Sequence, residues 1–473
     1  MRKTLLVSAL ACALTTNPVL ASPEPMPVAL HQQIQSVLNS ALHSDAAYQF
    51  LGHLCNRIGP RLSGSPGAEA GVRLVADELR GLGLEVKLEP VTVPHWVRGH
   101  EEAQMTRWPG QPAGVTAPIT LLAYGHSAGT GPAGIEGSVI VVDTLAQLED
   151  LPPDRVAGKI VLFNQKFDKQ MAAQGFGSKA YGVGIRSRYG GPPLASRLGA
   201  RAALVRSVGG ADYRLAHTGT TAFGSEKPIP AAAVSAEDAD RIAALALEGE
   251  VRIHLMLGAT DLPPVQSYNV VADLKGSQHP EEIVLVSGHL DSWDVGTGAL
   301  DDGCGVAMAV EVARTLQRLH LRPARTLRVV AWMNEENGTA GGRGYAERHA
   351  SEIPQHVAAI ESDLGEGHPI GWEVAGAPGW TEFLSRLDPL LNPVGVWLWP
   401  ATVNTGEDIS PLLERKVPCF HPLVDSRTYF NYHHTQADTF DKIDPQTLRE
   451  NCASMAALAF YLSESQSLGK PQQ

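Results

Sequence analysis

The sequence predicts an α/β protein: a mostly parallel central sheet with helices on both faces, plus an inserted β-rich unit. Three observations carry that reading. From Tyr268 onward, continuous apolar runs of strand length alternate with amphipathic helical stretches, the pattern of strands buried on both faces. Residues 117–262 break that pattern with a Gly- and Ala-rich texture. The 473 residues also exceed what one compact core usually organises, so two or three domains are expected.

Taken in order, the chain begins with Arg2 and Lys3, an apolar run over 4–14 and the small-residue site Val19-Leu20-Ala21. This reads as a secretory signal peptide over residues 1–21. Cys12 after Ala9-Leu10-Ala11 would suit a lipoprotein only with an unusually short signal. No later run reaches the roughly 18 apolar residues of a transmembrane helix. The expectation is an exported, soluble protein, periplasmic or extracellular, without stable membrane insertion. The formal net charge of −12 argues against a nucleic-acid partner, which would meet a basic face. Past the signal, Cys55, Cys304, Cys419 and Cys452 lie too far apart for a compact zinc knot. An oxidising compartment permits one or two disulfides, with three possible pairings.

After a Pro-rich leader, residues 34–84 read as helices. Val72, Val75, Leu79 and Leu82 recur at helical spacing until Gly81 and Gly83 stop them before a strand at 84–91. Within 117–262, the short β-branched runs 138–142 and 159–163 are separated by Gly-dense segments, and 175–193 reads as a loop. Strands follow at 282–286, 327–333 and 357–360, with Val306, Ala309, Val310, Ala313 and Leu316 marking a helix between the first two. Leu448, Cys452, Met455, Ala456, Ala459 and Leu462 mark a terminal helix started by Asp444-Pro445.

Five short motifs sit just after these strands or in loops entering helices. They are Gly288-His289-Leu290-Asp291, Leu300-Asp301-Asp302-Gly303, Asn334-Glu335-Glu336, Glu361-Ser362-Asp363 and Tyr432-His433-His434. In an open α/β sheet, loops at the carboxyl ends of the strands form the binding crevice, so these residues can converge. Imidazole and carboxylate are ligands that zinc accepts, and one carboxylate can bridge two ions about 3.5–4 Å apart that share a hydroxide. In the glutamate pair one can ligate while the other moves protons. Asp291 is placed to accept the second N–H of His289. Alone, each residue has a bland reading: a satisfied histidine, a solvated glutamate pair, an Asp–Asp helix cap. The bland readings fail jointly, because the whole set occurs in order.

The motifs resemble the co-catalytic dizinc aminopeptidase and glutamate carboxypeptidase family. Val93-Pro94-His95-Trp96-Val97-Arg98-Gly99 looks like its plasma glutamate carboxypeptidase (carboxypeptidase Q) branch. Val156-Ala157-Gly158-Lys159-Ile160-Val161-Leu162 and Gly199-Ala200-Arg201-Ala202-Ala203 look like the protease-associated domain inserted in many members. The resemblance implies a catalytic domain over 28–116 and 263–468, with the insert at 117–262. It implies two zinc ions: Glu336 and His434 completing one, His289 and Asp363 the other, Asp301 bridging, and Glu335 as general base. It also implies a cis Asp301–Asp302 peptide, small peptide substrates and a homodimer. A departure is Asn337 to Tyr345, with extra glycines where other members have a shorter turn.

The expected activity is removal of terminal residues from short peptides, or dipeptide cleavage, by a hydroxide shared between two zinc ions. Carboxypeptidase, aminopeptidase and dipeptidase stay open; Arg343 is the only basic residue near the motifs to grip a carboxylate. A non-catalytic binding module should have lost ligands, and a glutaminyl cyclase-like acyltransferase would use one zinc. His433 reads as an orienting residue, Tyr429 and Tyr432 as packing groups or hydrogen-bond donors to an oxyanion, and Cys304 as a small buried hydrophobe.

Overall fold

The computed structural model describes residues 26–403 and 405–465; the signal peptide expected at 1–21, with Cys12, lies outside them. Two eight-stranded sheets organise the chain. In spatial order the first comprises Glu85–Val97, Thr260–Leu274, Arg325–Trp332, His279–His289, His356–Glu361, Cys419–Val424, Pro369–Ala375 and Ala401–Thr402. The strands from Arg325–Trp332 to Cys419–Val424 run parallel. Antiparallel pairs flank them on both sides. The parallel reading thus holds at the centre, where Arg325–Trp332 is buried at every position. It stops where one strand face meets solvent and the burial alternates, as along Glu85–Val97.

Helices cover this sheet where the sequence places them. Cys304–Arg318 is the crossover that the parallel pair His279–His289 and Arg325–Trp332 requires, and its stripe from Val306 to Leu316 is buried. Ser65 caps Pro66–Gly81 by accepting from Ala68 N at 3.1 Å, and Val72, Val75 and Leu79 face inward. Asp444 caps Pro445–Glu464 by accepting from Gln446 N at 2.7 Å. That last helix packs against Val28–Leu42 and Cys304–Arg318.

The second sheet runs Ala117–Pro118, Glu101–Arg107, Arg252–Leu257, Ile135–Val142, Ile160–Phe163, Ala202–Arg206, Ala231–Val234 and Leu121–Ala123. It has its own apolar core around Ile160, Leu162, Leu204, Ile253 and Leu255. Glu101–Arg107, from the segment before 117, pairs with Arg252–Leu257.

One expectation needs correction. The glycine-dense stretch 175–193 is not a loop but most of the helix Gly177–Arg197. Its glycines allow close packing rather than turning: a Cβ at Gly191 would lie 2.8 Å from the Phe163 ring, and one at Gly184 3.2 Å from Val208 O. Of the disulfides that an oxidising compartment would permit, none forms among the described cysteines. Cys55, Cys304, Cys419 and Cys452 are all free and buried, each packed in the core as a small apolar residue.

Candidate metal centre

The central parallel strands deliver most of the site. His289 ends its strand, Glu335 and Glu336 follow Arg325–Trp332, and Asp363 follows His356–Glu361. Asp301 lies in the turn Ala299–Gly303 that enters Cys304–Arg318, and the Asp301–Asp302 peptide is cis. His434 comes from the loop after Cys419–Val424 and adopts φ +59°.

These side chains converge on Asp301. Its Oδ1 is 3.2 Å from His289 Nε2, which is 3.3 Å from Asp363 Oδ1. Its Oδ2 is 3.1 Å from His434 Nε2, which is 3.0 Å from Glu336 Oε2. Two imidazole–carboxylate pairs therefore sit one on each oxygen of a single carboxylate.

The outer ring nitrogens meet main-chain carbonyls. His289 Nδ1 is 3.0 Å from the Asp291 carbonyl, and His434 Nδ1 is 3.3 Å from the Thr218 carbonyl. Among the described residues His289 Nδ1 meets only the Asp291 carbonyl, so it carries the proton and its Nε2 turns a lone pair toward carboxylate oxygens; His434 Nδ1 also lies 3.2 Å from Arg188 Nη1, while its Nε2 faces the Asp301 and Glu336 oxygens. Asp301 Oδ2 and Glu336 Oε2 are buried and accept no hydrogen bond. Lone pairs aimed at one another in a buried site are what a cation resolves, and this donor set suits zinc.

Asp291 acts differently from expectation. Its main-chain carbonyl, not its carboxylate, meets the His289 ring. The carboxylate instead accepts from Asn334 N at 2.7 Å and Glu335 N at 3.0 Å, holding the loop that carries both glutamates. Asp302 braces the site by accepting from His289 N and Gly305 N, each at 3.0 Å. His433 stacks on His434 at 3.7 Å between ring centroids, lies 3.1 Å from His217 and brings its Nε2 to 3.4 Å from Asp301 Oδ2. Tyr432 packs beneath Lys442, whereas buried Tyr429 lines the cavity. Burial pushes the Cys304 thiol well up, so it is not activated.

A cavity of about 430 Å³ opens over the centre, lined by Asp301, Glu335, Glu336, Asp363, Arg343 and His434 among others. Burial drives the Glu335 carboxyl well above the ordinary carboxylate range; Asp363 and Glu336 push the same way, against His289. The second sheet unit reaches this site. Arg188, on Gly177–Arg197, lines the cavity, and Thr218 N donates to His434 O at 2.9 Å.

Sequence reasoning missed Asp438, Thr218 and Arg188. Buried Asp438 accepts from Ala299 N at 2.9 Å and Leu300 N at 2.7 Å on Oδ1, and from Asp301 N at 3.2 Å on Oδ2. Its only sequence signal is an acid four positions after His434.

Residues 269–459 match the model of peptidase family M28. The chain is 35% identical to carboxypeptidase Q of Bos taurus over 436 residues, covering 91% of this chain and 88% of that protein. Against human carboxypeptidase Q the figure is 34% over 440 residues, covering 92% and 89%. A peptidase M28 precursor from Shewanella amazonensis SB2B superposes with a TM-score of 0.88 at 34% identity, covering 94% of this chain and 99% of that one. A zinc aminopeptidase of Bacillus subtilis shares the fold, with a TM-score of 0.65 at 21% identity over 89% and 96%. This chain belongs to peptidase family M28, in the group that includes the carboxypeptidase Q proteins.

Proposed function

We propose that the chain is an exported, zinc-dependent exopeptidase that removes terminal residues from short peptides or splits dipeptides. The observation that carries this is Asp301, each of whose oxygens faces its own histidine–carboxylate pair. On this reading His289 and Asp363 would hold one zinc ion and His434 and Glu336 a second, with Asp301 available to both. Bound zinc supplies a Lewis acid for the scissile carbonyl and makes water a stronger acid.

The protein's own groups do the rest. Glu335 takes the proton from the attacking water and returns it to the leaving amine; a carboxylate made more basic by burial suits both steps. Asp291 sets the position of Glu335 through its main-chain N–H. Asp438 holds the backbone from Ala299 to Asp301, and Asp302 braces that of His289 and Gly305. The second sheet unit acts as a protease-associated insert that walls the cleft with Gly177–Arg197. The signal-like residues 1–21 support export, and the family likeness supports a homodimer.

The test is a metal count on the purified chain and its Glu335→Ala variant, with a panel of free, N-blocked and C-blocked dipeptides. About two zinc ions in both proteins, with cleavage about 10²–10⁴-fold slower in the variant, is the expected result. One metal or none, or undiminished cleavage by the variant, overturns the proposal.

A further inference from the structure

We propose that Arg188 and Arg343 hold the free carboxylate of the substrate, so that the enzyme grips the C-terminal end of a short peptide. This rests on the exopeptidase reading and names the end that it recognises.

Arg188 is 2% exposed and lines the cavity over the metal centre. Among the described residues its guanidinium meets no carboxylate. Nη1 donates to Tyr181 OH at 2.9 Å and Thr218 O at 3.4 Å and lies 3.2 Å from His434 Nδ1, while Nε has no partner. The Tyr189 ring lies against it at 4.8 Å.

Other buried or half-buried arginines are neutralised or saturated. Arg98 pairs with Asp294 and Glu101, and Arg328 with Asp273 and Glu352. Arg61 has no carboxylate either, but it donates to four main-chain carbonyls, at Gly59, Leu290, Thr297 and Gly298. Arg188 has neither form of compensation, and a buried cation in that state calls for an anion. The fold reserves its space: a Cβ on Gly219, which sits at φ +139°, would lie 2.2 Å from Nη1.

Arg343 enters the same cavity from the other sheet unit, on the helix Ala340–Arg348. It is exposed and makes no ion pair among the described residues. Two guanidiniums without a carboxylate partner, lining one cavity with Glu335, match a planar carboxylate, which arginine binds through parallel N–H donors. No covalent step is involved. The contact places the C-terminal peptide bond over Asp301 and Glu335.

The experiment compares a free dipeptide with its C-terminal amide on the parent, Arg188→Met and Arg343→Met proteins, with zinc content measured alongside. The parent is expected to favour the free acid. In each variant the ratio of kcat/KM, acid over amide, falls about tenfold to a hundredfold through KM, with zinc retained. Arg188→Lys, which keeps the charge, restores part of the ratio. Equal cleavage of acid and amide by the parent overturns the proposal. Equal loss on both substrates, or loss of zinc from Arg188→Met, also overturns it by making Arg188 a prop for His434. Exposed Arg343 tolerates replacement, so its variant decides the matter if Arg188→Met does not fold. A zinc-loaded parent that cleaves nothing in the panel instead defeats the exopeptidase reading itself.

Discussion

Replacing Asp438 with alanine removes no expected zinc ligand, yet it should weaken the metal centre. The Asp438 carboxylate is the acceptor for three consecutive N–H groups, those of Ala299, Leu300 and Asp301. Hydrogen bonds to a charged acceptor are worth about 1.5–3 kcal/mol each. Burying the carboxylate offsets part of that gain; burial and the Asp301 charge push it up to about 7. A net loss of about 2–4 kcal/mol in metal-free stability is expected, a size typical of broken buried networks. Zinc affinity should fall about tenfold to a hundredfold, as when other supports behind metal ligands are removed. Asp438→Asn sharpens the test. With its oxygen kept toward Ala299 and Leu300, its amide faces the Asp301 N–H, so affinity should fall with a smaller stability loss. The assays are urea unfolding of the metal-free proteins and zinc competition against a chelator. Unchanged zinc affinity in Asp438→Ala would refute the idea that this carboxylate aims Asp301.

Burial pushes the Glu366 carboxyl up to about 7, even though Thr447 OH and Asp444 N donate to it. Between pH 4.5 and 7 the native state therefore holds a proton that the unfolded chain has released, and stability declines as pH rises through that window. Glu366→Gln removes this dependence, so the melting temperature of the variant relative to the parent should be higher at pH 8 than at pH 5; an equal difference at both would contradict the argument. Burial raises Cys55 to about 11 and Cys419 further still, so a thiol reagent at pH 8 should find the described cysteines unreactive in the native protein and four more free thiols after unfolding in denaturant. Fast native labelling would show that the core around Cys55 or Cys304 opens.

Local periodicity made much of the fold readable. The stripe from Val306 to Leu316 and the apolar runs at 282–286 and 327–333 each bury themselves by their own spacing. His289, Asp301, Glu336, Asp363 and His434 were readable because residue type and position at strand ends together suggest metal ligation. What failed depended on distant partners. In Gly177–Arg197 the glycines leave room for Phe163 and Val208, a distant packing contact that composition, which alone says loop, does not show. The partner of His289 is an oxygen of Asp291, but spacing cannot choose between carbonyl and carboxylate. Asp438 and Arg188 act on atoms far along the chain, where no local pattern marks them.

The pairing of Thr218 with His434 joins the metal centre to the seam between the two sheets. Thr218 donates its N–H to the His434 carbonyl, and its own carbonyl lies 3.3 Å from Nδ1 of that ring. Energetic coupling of this kind is reciprocal. Whatever zinc gains from a fixed His434, the seam gains from zinc, so a chelator works as a wedge. Amide exchange around Thr218 should quicken when the metal is stripped, and a mutation that loosens the seam should make the metal easier to strip.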